Sequence, residues 1–191
     1  METIVFATNN PNKIREVQQL LGNSYQFLSL KEVGCTEELP ETSPTLEGNA
    51  LEKARYLYNH YHHDCFSEDT GLEVEALDGA PGVITAMYAG PERDARLNMQ
   101  KVLRELAPHA NRKAQFRTII ALIIKGQEYL FEGIVQGVIS HDLHGEDGFG
   151  YDPIFMPEGQ ARTFAQMSKE EKNAISHRGR AIAKLQAFLA K

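Results

Sequence analysis

Two apolar runs on either side of a short turn constrain this chain more than any other feature. Phe116 to Ile124 and Glu128 to Ile139 flank Gly126-Gln127, and the pattern reads as a long β-hairpin. A hairpin of that length commits the chain to a sheet. The first run contains the longest purely aliphatic stretch, Ile119 to Ile124, far below the ~20 residues that span a bilayer. Ile4-Val5-Phe6-Ala7 is a second continuous apolar run, as expected of a strand covered on both faces.

Helices are marked by their ends. After Thr8-Asn9-Asn10-Pro11-Asn12-Lys13, the residues Ile14, Val17, Leu20 and Leu21 form one stripe. Asn10 suits the N-cap, Pro11 the first helical position and Gly22 the C-terminal cap. Tyr25 to Leu30 reads as a strand and Gly34 to Pro44 as a loop carrying Glu37, Glu38 and Glu41. A helix then opens at Thr45, with Ala50, Ala54, Leu57, Tyr58 and Tyr61 inward. Val83 to Ala89 is expected to form a strand. Glu92 to Ala107 is expected to be helical, stopped by Pro108. Ser168-Lys169-Glu170-Glu171 is a capping box, and Ala181, Leu185 and Phe188 form the inward stripe of a final helix.

Within this frame a few residues carry chemistry. Ser67-Glu68-Asp69-Thr70-Gly71 places two carboxylates side by side before an alternating run in which Leu72, Val74 and Ala76 oppose Glu73 and Glu75. It reads as a turn entering a strand. Adjacent like charges repel unless solvent or a cation compensates them, and Mg²⁺ prefers carboxylate oxygens while leaving room for phosphate. A solvated acidic turn explains the pair equally simply. The helix start at Asn10 to Lys13 attracts phosphate through its N–H groups and a lysine, or is good capping chemistry and nothing more. It is not a Walker A loop. Lys53 sits at the border of its helix stripe, either snorkelling to water or aimed into a cleft. His60, His62, His63 and Asp64 match no zinc spacing and suit a helix C-terminus. Gly148-x-Gly150 lacks a dinucleotide fingerprint's third glycine and its strand-to-helix setting, and instead suits a loop presenting Phe149 for stacking, or a packed loop anchored by Phe149 and Tyr151.

The totals set outer bounds. A chain of 191 residues with 42% apolar and 24% charged content is expected to form one domain, with or without two lobes. A net charge of −6 argues against general nucleic-acid binding, though not against one small phosphorylated ligand in a local basic pocket. Two cysteines, Cys35 and Cys65, make no disulfide framework. Met1-Glu2-Thr3 carries no basic region, so no signal segment is read and a cytoplasmic location is expected.

Four stretches together resemble the inosine triphosphate pyrophosphatases: Thr8 to Lys13, Ser67 to Gly71, Gly148-Phe149-Gly150-Tyr151-Asp152-Pro153, and Glu171-Lys172-Asn173-Ala174-Ile175-Ser176-His177-Arg178-Gly179. The order is right and nearly the whole chain is covered. The resemblance implies an α/β fold, an elongated mixed sheet flanked by helices, with two lobes and a central cleft in a single domain over residues 1–191. It implies Mg²⁺-dependent cleavage of ITP, dITP and XTP between the α and β phosphates, with no nucleic-acid or membrane partner, and a homodimer.

Carried over by position, Thr8, Asn9, Asn10, Pro11, Asn12 and Lys13 hold the triphosphate, with Lys53 and Lys172 adding charge. Glu41, Asp69 and Glu68 hold the metal, Asp69 is the base for the attacking water, and Thr70 contacts substrate beside it. Phe149 stacks on the purine, with Gly150, Tyr151, Asp152, Ser176, His177 and Arg178 around it. A donor such as Arg178 suits a 6-keto oxygen, whereas adenine would leave buried donors unpaired at about 1–3 kcal/mol each. One departure stands out: the family's usual tyrosine and arginine after Pro81-Gly82 are Ile84 and Met87. A pyrophosphatase for pyrimidine or modified nucleotides, and a non-catalytic purine-nucleotide sensor, are the alternative readings.

Overall fold

The computed structural model describes residues 3–191. Its strands are β1 (Thr3–Phe6), β2 (Gln26–Leu28), β3 (Cys65–Val74), β4 (Lys113–Ile124), β5 (Gln127–Ile139) and β6 (Phe155–Pro157). Its α-helices are α1 (Pro11–Leu21), α2 (Leu46–Tyr61), α3 (Ala95–Leu106), α4 (Lys169–Ile175) and α5 (His177–Leu189). The strands form one six-stranded sheet in the order β2-β1-β3-β4-β5-β6. It is mixed, as expected. β1 runs parallel to β2 (Ile4 opposite Phe27) and to β3 (Phe6 opposite Phe66), while β5 and β6 are antiparallel (Val138 opposite Met156).

The chain divides into two compact units. Unit 1 holds the chain up to Asp69, Thr118–Gly133 and Arg178–Lys191; unit 2 holds Thr70–Arg117 and Ile134–His177. β3, β4 and β5 each contribute residues to both. Each unit has its own core. In unit 1, Val17 and Leu21 of α1 and Ala181, Ile182 and Leu185 of α5 pack with Ile4, Phe6, Phe66, Ile120 and Leu122 of the sheet. The Phe6 and Phe66 rings stack at 4.5 Å. In unit 2, Met99, Val102 and Leu106 of α3 join Leu72, Phe116, Val135 and Phe155.

Several local readings hold. The Asn10 side chain caps α1, Pro11 is its first residue and Gly22 closes it at a φ of 57°. Thr45 caps α2 through the Gly48 N–H, and the Ser168/Glu171 capping box opens α4. The hairpin turn falls one residue early, on Lys125 and Gly126, with φ of 50° and 77°, a pairing of the kind that matches strand twist.

Two readings are corrected. Val83 to Ala89 is not a strand: Gly82–Met87 is a 3₁₀ helix. Side chains there take the backbone groups that a strand ladder would need. Thr85 Oγ1 donates to Gly82 O and accepts from Leu72 N–H, and Asn98 receives the Ala89 N–H and donates to Ala86 O. Nor is Ser67 to Gly71 a turn. It lies inside β3, where Ser67, Glu68 and Asp69 are only 0%, 1% and 8% exposed. Among the described residues no helix is long and apolar enough to cross a membrane.

Candidate active site

Burying two adjacent carboxylates in a strand is costly unless each finds a counter-charge, and unit 1 supplies one for each. Alternation along β3 sends the two side chains in different directions. Glu68 meets α1 and α5: its Oε1 lies 2.7 Å from Lys13 Nζ and 3.3 Å from Arg178 Nη2. Arg178, 1% exposed, also donates through Nη1 to Glu16, one turn beyond Lys13 on α1. Asp69 meets α2, where Lys53 Nζ stands 3.8 Å from its Oδ1 and 2.7 Å from Glu41 Oε1. The same ammonium donates to Glu68 O at 2.8 Å. Lys53 is 7% exposed and does not snorkel to water. α2 is itself held against β3 by Ser67 Oγ, which donates to Ala50 O.

Asp69 is the unusual group. Burial pushes its carboxyl up to about 6; Lys53 and Lys13 pull it down, and Glu41 and Glu68 push it further up. Its Oδ2 is buried and has no hydrogen-bond partner among the described residues. A carboxylate with one unpartnered oxygen and a pKa raised to about 6 suits a general base.

The expected trio of metal ligands is not assembled. Among the described residues, no three acidic, histidine or cysteine side chains are grouped to hold a metal ion. Glu68 is engaged by Lys13 and Arg178, whereas Glu41 and Asp69 converge on Lys53. Glu41 and Asp69 are still an adequate protein share for Mg²⁺, which takes its remaining oxygens from phosphate and water.

The start of α1 also differs from its reading. Asn10 Oδ1 already accepts the N–H groups of Asn12 (3.0 Å) and Lys13 (3.4 Å), and Thr8 Oγ1 accepts the Asn10 N–H at 3.1 Å. Those three donors do not point freely outward. What the turn keeps for an anion is the helix field, the Lys13 ammonium and exposed Asn9 and Pro11.

In unit 2 the glycine-rich stretch forms a second constellation. Phe149 is half-buried, and its N–H donates to Asp152 Oδ2 at 3.0 Å. Lys172 Nζ pairs with the same oxygen at 2.7 Å and lies 4.7 Å from the centre of the Phe149 ring, a cation–π contact. Gly148 adopts a φ of 74°, and a Cβ there would sit 2.2 Å from Asp152 Oδ2. Only glycine fits. Tyr151 is buried, its hydroxyl donating to Thr85 O at 2.6 Å. Ser176 ends α4, and the His177 ring stacks on Phe116 at 4.6 Å.

Two cations read together from the last motif thus divide. Lys172 belongs with Asp152 and Phe149 in unit 2, and Arg178 belongs with Glu16 and Glu68 in unit 1. Glu16, Asn49 and Glu52 were missed by the sequence reading. Glu16 lies on the same helix face as Lys13, the one local signal available; the other two bond loop backbone, which leaves no pattern.

Comparison with known proteins bears out the resemblance carried by the four motifs. The Ham1 family pattern matches residues 4–188. A relative from Flavobacterium psychrophilum named dITP/XTP pyrophosphatase is 54% identical over 97% of this chain and 97% of its own. One of the same name from Porphyromonas gingivalis is 50% identical over 99% of this chain and 98% of its own. The solved structure of a HAM1 protein from Coxiella burnetii superposes with a TM-score of 0.92 at 36% identity, covering 100% of this chain and 99% of that one. With the match running from the first strand into the last helix, the chain belongs to the Ham1 family.

Proposed function

We propose that this chain is a nucleoside triphosphate pyrophosphatase that hydrolyses the deaminated purine nucleotides ITP, dITP and XTP to the monophosphate and pyrophosphate. The observation that carries this reading is Asp69: a buried carboxylate with an unpartnered Oδ2, its pKa raised to about 6, beside Lys53 and Glu41. The names of its relatives point to dITP and XTP.

In this mechanism Asp69 Oδ2 takes the proton of the attacking water, and Thr70 contacts the substrate beside it. Lys13 and Lys53 turn from their carboxylate partners to the phosphate oxygens, offsetting charge as the α–β anhydride breaks. Thr8, Asn9, Asn10, Pro11 and Asn12 orient the phosphate chain. Glu41 and Asp69 would hold Mg²⁺, which when bound would neutralise phosphate charge. Glu68 is not assigned as a metal ligand; it pairs with Lys13 until substrate arrives and holds Arg178. Phe149 stacks on the purine, backed by Lys172 and Asp152 and carried by Gly150 and Tyr151, while Ser176 and His177 shape its surroundings. Arg178, with both terminal nitrogens on carboxylates, holds Glu68 rather than the purine. A homodimer is proposed on the resemblance alone, and a cytoplasmic location on Cys35 and Cys65, which form no disulfide.

A nucleotide panel tests the reading. Pyrophosphate release from ITP and XTP should need Mg²⁺ and far exceed that from ATP, GTP and pyrimidine triphosphates. Orthophosphate as the product, or binding without turnover, would overturn it. Gly148→Ala should raise KM for ITP about tenfold or more while changing kcat less, because displacing Asp152 unseats Phe149 and base–aromatic stacking contributes about 1–3 kcal/mol. A fall confined to kcat would remove Phe149 from base binding.

A further inference from the structure

The loop bearing Glu41 is tied to α2 by contacts that the proposed chemistry does not use. Thr42 N–H donates to Glu52 Oε2 at 2.7 Å, and Thr42 Oγ1 donates to Glu52 Oε1 at 2.5 Å. One residue further, Ser43 N–H donates to the buried Asn49 Oδ1 at 2.8 Å. Gly48 makes this approach possible, since a Cβ there would lie 1.8 Å from Ser43 Oγ. On the other side of Glu41, the Glu37 carboxylate accepts from Tyr56 OH at 2.9 Å and from Tyr61 OH at 2.6 Å. Glu41 is therefore bracketed by two anchors on one helix, which also carries Lys53.

These anchors matter because the ion pair with Lys53 cannot hold Glu41 alone. When Lys53 turns to phosphate, the placement of the Glu41 backbone still sets where its carboxylate can meet a cation. Residues 35–44 contain no helix or strand, so their order comes from side chains on α2. Groups that orient a metal ligand without touching the metal commonly decide its affinity. We infer that Glu52 is a positioning residue: by gripping Thr42 at two points it presets Glu41 for a divalent cation. This rests on the reading of Glu41 as a metal ligand.

The test combines amide hydrogen exchange at Thr42 in cation-free protein, direct Mn²⁺ titration followed by its spin resonance, and the half-saturating Mg²⁺ concentration for pyrophosphate release. In Glu52→Ala the Thr42 amide should exchange faster, and Mn²⁺ affinity and half-saturating Mg²⁺ should worsen by about 10–100-fold. The melting temperature and the turnover at saturating Mg²⁺ should stay close to wild type. Glu52→Gln, which keeps one acceptor, should fall between the two. Gly48→Ala should reproduce the Mn²⁺ effect by displacing Ser43. Unchanged Thr42 exchange, unchanged Mn²⁺ affinity, or an affinity loss that tracks a fall in melting temperature would each overturn the inference. Should wild type bind Mn²⁺ yet release no pyrophosphate, the catalytic reading fails, while the exchange and titration data still decide the role of Glu52.

Discussion

Asp69→Asn should abolish pyrophosphate release and, in the presence of a chelator above pH 6, raise the melting temperature. Asparagine keeps the shape but cannot accept the proton of water, and removing a general base costs about 10²–10⁴ in rate. The gain in stability follows from the raised pKa. In the folded chain the Asp69 carboxyl titrates near 6 rather than 3.8, chiefly because it is buried. Between those values the native state binds the proton more tightly than the unfolded chain. Stability therefore falls as pH rises through that window, and the full penalty persists above it. A shift of this size corresponds to about 3 kcal/mol at most, or roughly 5–10 °C in a domain this large. The neutral amide escapes that penalty, so the difference in melting temperature between variant and wild type should be largest near pH 8 and vanish toward pH 4. Calorimetry across pH, paired with pyrophosphate release, checks both halves. Full activity, or a variant less stable than wild type at pH 8, would contradict the account.

The second large effect is on stability. Arg178→Ala should lower the melting temperature by about 10 °C or more, because it takes the guanidinium from Glu68, which is only 1% exposed, and from Glu16. Breaking a buried ion pair from one side costs about 3–5 kcal/mol. Arg178→Lys should recover little, since a single ammonium cannot span two carboxylates as the guanidinium fork does. Pairing Arg178→Met with Glu68→Gln should recover part of the loss, because the charge left stranded is removed as well. Thermal unfolding of the three variants decides it. A wild-type melting temperature in Arg178→Ala would mean that Glu68 finds its compensation elsewhere.

What the sequence settled by itself was local. Asn10, Pro11 and Gly22 bound α1, Ser168 and Glu171 open α4, and the hairpin is set by two apolar runs around a turn. Each of these interactions closes within a few residues, so composition and spacing carry them. The family was legible for a related reason: four short motifs hold the chemistry-bearing residues in fixed order. The tertiary structure decided the electrostatics. Glu68 and Asp69 read as an acidic turn because adjacent charges ordinarily stay in water; in fact they enter a buried strand because Lys13, Lys53 and Arg178 arrive from three helices. Arg178 lies 110 residues from Glu68, a pairing that no spacing rule can reveal. The 3₁₀ helix at Gly82–Met87 tells the same story, its apolar run reading as a strand until the Thr85 and Asn98 side chains take up the backbone groups. Caps and periodicity depend on neighbours along the chain, whereas the cost of burying a charge depends on whatever the fold places beside it.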